Sequence, residues 1–250
     1  MKNSLGKFAN SITKYFGVEV HRYMPYLRAG SLRSMYDVCN QAKKCGMKIT
    51  TIFDVGVATG TEGLYEAFSD SNFVLVEPLV EFSGDISRIL EQYQGIHVNA
   101  AASDRNGKAI ISINRNNLHG TSLLSTPNTN LNQRTVDLIR LDQIAKDIPL
   151  SGPYLIKADV QGAELQVVEG AQGILENTEM IILEVSFYEF SSGTPQFIDV
   201  VNFMKNLGFV VYDFIGGAIR PLDGALGQID IAFVKEFGLL RQDHSYGSFP

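Results

Sequence analysis

Beyond residue 48 the chain keeps changing its hydrophobic period, and this restricts its fold more than any other feature. Short β-branched runs at Ile49 to Val55, Phe73 to Val76, Ile96 to Ala102, Tyr154 to Val160 and Met180 to Ser186 read as buried strands. Between and after them lie helical patterns at about 62–68, 79–93, 163–175 and 195–207. Such alternation predicts an α/β fold with a mostly parallel sheet and helices on both faces. The ending breaks the rhythm. Phe209 to Phe214 and Gln228 to Val234 are joined by I-G-G-A-I-R-P-L-D-G, which has no helical period, so an antiparallel pair is expected there. The sum is a seven-stranded sheet with a reversed C-terminal strand. Lys108 to Asn114 alternates as an inserted hairpin strand, and Asn114 to Gln133, rich in Asn, Ser and Thr, reads as a long functional loop.

A length of 250 residues suits one large domain, expected at 49–240, with an N-terminal extension at 1–48 and a polar tail at 241–250. The extension is basic: nine Lys/Arg against Glu19 and Asp37, leaving twelve basic and 25 acidic residues for the rest. A basic segment suits an anionic partner, such as a membrane surface or an acidic glycan, or docking on the acidic body. Leu5, Phe8, Ile12, Tyr15 and Phe16 have helical spacing, which favours the second reading and a helical extension. No apolar stretch has the ~20 residues of a transmembrane helix, and no secretory signal is expected. The early lysines also fit a transit peptide. Cys39 and Cys45 are too few for a disulfide framework or zinc site, so a cytoplasmic protein with two reduced thiols is expected.

The first candidate chemistry is the loop I-F-D-V-G-V-A-T-G, which puts Asp54 at a strand end and Gly56 and Gly60 in the turn after it. Ligands of open α/β sheets bind outside the carboxyl ends of the strands, where glycine lets the backbone approach closely. The spacing G-x-x-x-G-x-x-G departs from the dinucleotide fingerprint, and no phosphate-loop motif is present. Glu77, in V-L-V-E-P at the end of the second strand, lies 21 residues after Gly56. A carboxylate there accepts both hydroxyls of a ribose, or else caps the next helix. Together the loop and the acid indicate a nucleoside-containing cofactor, with S-adenosylmethionine favoured over NAD.

In order, the chain carries D-V-G-V-A-T-G, F-V-L-V-E-P, N-A-A-A-S-D, L-I-K-A-D-V-Q-G-A-E-L-Q-V-V-E-G-A, M-I-I-L-E-V and Q-I-D-I-A-F-V-K. Over about residues 49 to 236 this set resembles the FkbM family of S-adenosylmethionine-dependent methyltransferases, which O-methylate sugars and polyketides. The resemblance implies the class I methyltransferase (Rossmann-like) fold. It also implies that Asp54, Gly56 and Gly60, with Ala58 between them, line the methionine end of the cofactor. Glu77, followed by Pro78, would hold the ribose, and Ala102, Ser103 and Asp104 would edge the adenine. Family members often carry Ala-Asn where this chain has Val57-Ala58, so its loop has one polar side chain fewer.

Asp159 and Glu184 each end a predicted strand, which brings both carboxylates beside the cofactor if the strands are neighbours. An acceptor hydroxyl must lose a proton, either to a general base or after polarisation by a metal. Asp159 and Glu184 could hold Mg²⁺, or Asp159 could bind the cofactor's amino group while Glu184 orders the acceptor. His119, in N-N-L-H-G-T-S, is the candidate base if its loop closes, and Tyr188 and Glu189 are further acceptor-side candidates. Lys157 is expected to pair structurally with Glu164. The expected partner is a small-molecule or glycan acceptor. An acidic body without a basic groove argues against nucleic acid, and a homo-oligomer is left open. The competing reading is a non-catalytic module that keeps the cofactor fold and docks a partner through its basic segment.

Overall fold

The structure, a computed structural model, describes residues 33–113, 118, 121 and 132–246. The first helix among the described residues, α1 (Met35–Lys44), starts at a capping box in which the Ser34 hydroxyl accepts the Asp37 N–H and the Asp37 carboxylate accepts the Ser34 N–H. It buries Val38, Cys39 and Ala42 against the body. Then come β1 (Thr51–Val55), α2 (Glu62–Ala67), β2 (Asn72–Val76), α3 (Ser83–Gln92), β3 (Gly95–Val98), β4 (Ala101–Ala102), β5 (Gly107–Ile113) and β6 (Asn132–Ile139). The chain continues with α4 (Leu141–Asp147), β7 (Tyr154–Ala158), α5 (Glu164–Glu169), β8 (Thr178–Ser186), α6 (Phe197–Asn206), β9 (Phe209–Ile219) and β10 (Leu226–Lys235).

Seven strands form the main sheet in the order β3-β2-β1-β7-β8-β10-β9. Pairing is parallel from β3 to β8, and β10 runs antiparallel to both β8 and β9. This is the expected class I methyltransferase sheet with its reversed C-terminal strand. The chain builds outward from β1 to β3 and then crosses over to β7, so a topological switch point lies between β1 and β7. Two apolar cores flank the sheet. Ile52, Leu75, Leu155 and Ile182 pack beneath α1, α2 and α3, while Phe53, Val74, Ile156 and Leu183 pack beneath α4, α5 and α6. Alternation along each strand feeds both cores, which is why these strands read as continuous apolar runs. The free edge of β9 is partly covered where Arg33 bridges to Ile215 and ion-pairs with Asp213 at 2.6 Å.

Three expectations need correction. Ile96 to Ala102 is not one strand: the Ala100 N–H turns back to the Val98 carbonyl at 2.9 Å, ending β3. After that turn β4 joins a second sheet of order β4-β6-β5. The inserted hairpin strand forms as β5, but its partner β6 starts at Asn132, inside the end of the expected 114–133 loop, and runs on through residues given no element from sequence. The helix expected at 163–175 breaks after Glu169 into a 3-10 turn, Gln172–Asn177. At the break a Cβ on Gly170 would lie 2.0 Å from the Ser103 carbonyl oxygen, so the chain there packs closely against the residue that follows β4.

Candidate active site

A cleft opens at the carboxyl ends of β1, β2 and β7, beside the switch point. Its floor is the turn after β1. Gly56 has φ +74°, donates its N–H to the Val76 carbonyl at 3.0 Å, and has no room for a side chain. Ala58, also in the left-handed region at φ +45°, donates its N–H to Glu77 Oε2 at 3.1 Å. Glu77 Oε1 accepts the Leu79 N–H at 2.9 Å, so one buried carboxylate ties the glycine loop to the segment after β2. Burial raises the Glu77 pKa, and the two N–H donors oppose that rise. Each oxygen has used one acceptor position, which leaves capacity for a pair of ligand hydroxyls. Val76, Leu79, Phe82, Ala101 and Ile111 add apolar surface to the cleft lining. A carboxylate acceptor, a side-chain-free backbone turn and an apolar slot fit a nucleoside with a charged tail.

Of the residues singled out from sequence, Gly56, Ala58, Glu77, Pro78, Ala102 and Asp159 meet in this cleft. Others stand behind it. Gly60, at φ +109°, packs against α3, where an added Cβ would be 2.9 Å from the Ile89 Cδ1. Ser103 is buried past β4, with its N–H on the Ile139 carbonyl and its hydroxyl donating to Asp104 Oδ1, and Asp104 pairs with Arg105. Asp54 is fully buried and accepts the Tyr65 hydroxyl. His119 lies outside the described residues. Tyr188 stacks beneath the Arg220 guanidinium, whose carbon is 3.9 Å from the ring centre, and Glu189 accepts the Gly193 N–H in a local turn.

Next to the cleft a row of polar side chains crosses one face of the sheet. Strand register pairs Asp54 with Lys157, and Asp230 with Glu184. Lys157, nearly inaccessible, has its Nζ 3.5 Å from Asp54 Oδ1 and 3.9 Å from Asp159 Oδ2. Burial alone would lower its pKa, but Asp54, Asp159 and Asp230 outweigh that and raise it. The expected Lys157–Glu164 pair is not formed. Glu164 instead begins α5, and its carboxylate accepts the N–H groups of Val160 and Gly162, each at 3.0 Å. Burial and the neighbouring Asp159, Glu164 and Asp230 push the Glu184 carboxyl up to about 8. Burial likewise pushes Asp230 up to about 6.

The side chains do not fit the expected Mg²⁺ between Asp159 and Glu184. Gln161, held at φ +58°, places its amide nitrogen there, 2.8 Å from Asp159 Oδ1 and 3.0 Å from Glu184 Oε2. Gln228 donates a second amide to Glu184 Oε2 at 2.8 Å. An ammonium on one carboxylate and two amide donors on the other compete with a hard cation for the oxygens it needs. Among the described residues no cluster of three or more His, Cys, Asp or Glu is arranged as a metal site. Sequence reasoning passed over Gln161, Gln228 and Asp230. An aspartate inside the apolar strand Q-I-D-I-A-F was the available signal for the last.

The family model for the FkbM methyltransferase domain matches residues 54–211. No curated protein matches the chain. Similar solved structures include an O-methyltransferase from Bacillus cereus in complex with S-adenosylhomocysteine, 12% identical over 92% of this chain and 90% of that one, with a TM-score of 0.45. Magnesium protoporphyrin IX methyltransferase from Synechocystis, solved with S-adenosylmethionine, is 9% identical over 94% and 96%, with a TM-score of 0.44. Precorrin-6y C5,15-methyltransferase from Geobacter metallireducens is 11% identical over 80% and 86%, with a TM-score of 0.43.

Proposed function

Since this chain belongs to the FkbM family of methyltransferases, we propose that its cleft binds S-adenosylmethionine and that it O-methylates a hydroxyl of a sugar, glycan or similar small molecule. The observation that carries the reading is the meeting of Glu77, the Gly56 turn and Asp159 in one cleft. Glu77 accepts the two ribose hydroxyls. The backbone of Gly56 and Ala58 receives the methionine end, and Ala101, Ala102 and Ile111 enclose the adenine. Bound there, S-adenosylmethionine supplies an electrophilic methyl group on a sulfonium.

The protein's own work is to hold the acceptor hydroxyl in line and remove its proton. Asp159, Gln161, Glu184 and Gln228 present acceptors and donors side by side, a pattern suited to a polyhydroxylated molecule. Glu184 and His119 are the groups assigned to take the proton. The Cys39 and Cys45 thiols are free, and no helix among the described residues is long and apolar enough to cross a membrane, which suits the cytoplasmic location proposed here.

Calorimetry tests the cofactor half. Wild-type protein should bind S-adenosylmethionine, and Glu77→Ala should weaken binding by about 10- to 150-fold, the worth of hydrogen bonds to a charged group. Glu77→Gln, which keeps one acceptor, should fall between. Wild-type affinity in a folded Glu77→Ala variant would overturn the assignment. Methyl transfer to a panel of nucleotide-sugars and glycans, read by mass, tests the acceptor class, and exclusive methylation of nitrogen would reject it.

A further inference from the structure

The polar row holds more acid than its single lysine neutralises, and it touches the cofactor cleft at one point. Asp159 is on the cleft wall, and Gln161, also on that wall, joins it to Glu184. Glu184 is faced by Asp159 and Lys157 from the β7 side, by Glu164 from the start of α5, and by Asp230 and Gln228 from β10. With Asp54, which shares Lys157 with Asp159, five carboxylates and one ammonium cannot all be ionised cheaply at such range, so a proton remains in the row. Among the described residues lining the cleft, Glu77 and Asp159 are the only charged side chains.

We propose that binding of a sulfonium cofactor drives a proton off Glu184, so that this carboxylate becomes ionised only when the methyl donor is in place. The inference rests on the reading that the cleft takes S-adenosylmethionine. A cation entering beside Asp159 supplies the positive charge that the row lacks, and the excess proton is no longer needed to balance it. S-adenosylhomocysteine lacks the sulfonium charge and leaves the row protonated. An ionised Glu184 is the form able to accept a hydroxyl proton, and the neutral product is held without that electrostatic gain.

The test is calorimetric proton counting at pH 7 in two buffers of different ionisation enthalpy. S-adenosylmethionine should release about half to one proton per site, because a carboxyl titrating near 8 is mostly protonated at pH 7. S-adenosylhomocysteine should release markedly less. The difference isolates the sulfonium, since both ligands carry the same ribose and amino acid and so perturb Glu77 alike. Glu184→Gln should bind S-adenosylmethionine with the extra release gone. Should that variant fail to fold, the wild-type affinity ratio of the two ligands, followed from pH 6 to 8, decides the matter: it should rise several-fold in favour of S-adenosylmethionine. Equal proton release by both ligands, or a pH-independent ratio, overturns the inference. Failure of either ligand to bind overturns the cofactor reading itself.

Discussion

A Cβ placed on Gly56 would lie 1.9 Å from the carbonyl oxygen of Asp159. The turns after β1 and β7 are therefore packed backbone against backbone, and the Asp159 N–H donates to the Val55 carbonyl at 3.0 Å in the same contact. The floor of the cleft and the first carboxylate of the polar row are one construction.

Gly56→Ala should accordingly damage the site more than its single methyl suggests. The left-handed backbone costs a non-glycine residue about 1–2 kcal/mol, and relieving the overlap about 1–3 kcal/mol more. Because either turn can yield only by moving Asp159 or Gly56, affinity for S-adenosylmethionine should drop at least tenfold along with the melting temperature. A variant with unchanged affinity would mean that the Gly56 turn does not form the cofactor floor.

Lys157 should be the most costly charge to remove. Lys157→Met leaves Asp54, fully buried, without its cation, and breaking a buried pair from one side typically costs about 3–5 kcal/mol. Tyr65→Phe removes one hydrogen bond from the same aspartate and should cost about 1–3 kcal/mol. Urea unfolding of both variants checks the order. Equal stability of Lys157→Met and the wild type would show that the row does not depend on its ammonium.

The polar row should also set how stability varies with pH. Glu184, ordinarily near 4.5, is held at about 8, and Asp230, ordinarily near 3.8, at about 6. Raised acid pKa values mean that the folded state binds these protons more tightly than the unfolded state. Their contribution is complete below the unfolded values and is lost as pH rises through the folded ones. The cofactor-free protein should lose a few kcal/mol between about pH 5 and 8, and Glu184→Gln should flatten most of that slope. Unfolding curves collected across this range would refute the assignment if stability rose with pH, or if the variant kept the wild-type slope.

Much of the fold could be read from local pattern. The apolar runs became β1, β2, β7 and β8, and the period-free link near the C-terminus became the antiparallel pair β9–β10. Burial, glycine and β-branching act within a few residues, so their marks stay in the sequence. β6 was not recognised, because Asn132–Ile139 follows directly on a run rich in Asn, Ser and Thr and finds its partner in β5, about twenty residues earlier. The run from Ile96 to Ala102 was misread as one strand, because the turn at Ala100 rests on a single backbone hydrogen bond and no glycine or proline marks it.

The site divides along the same line. The sequence by itself determined the chemistry at each strand end: glycine after β1, Glu77 after β2, Asp159 after β7 and Glu184 near the end of β8. Only tertiary structure decided which of these meet. Parallel register set Lys157 beside Asp54 and away from Glu164, antiparallel register set Asp230 opposite Glu184, and a left-handed residue at 161 carried its amide to both carboxylates. These are contacts between strands far apart in the chain, fixed by how apolar faces stack and which strands become neighbours, and no spacing along one strand encodes them.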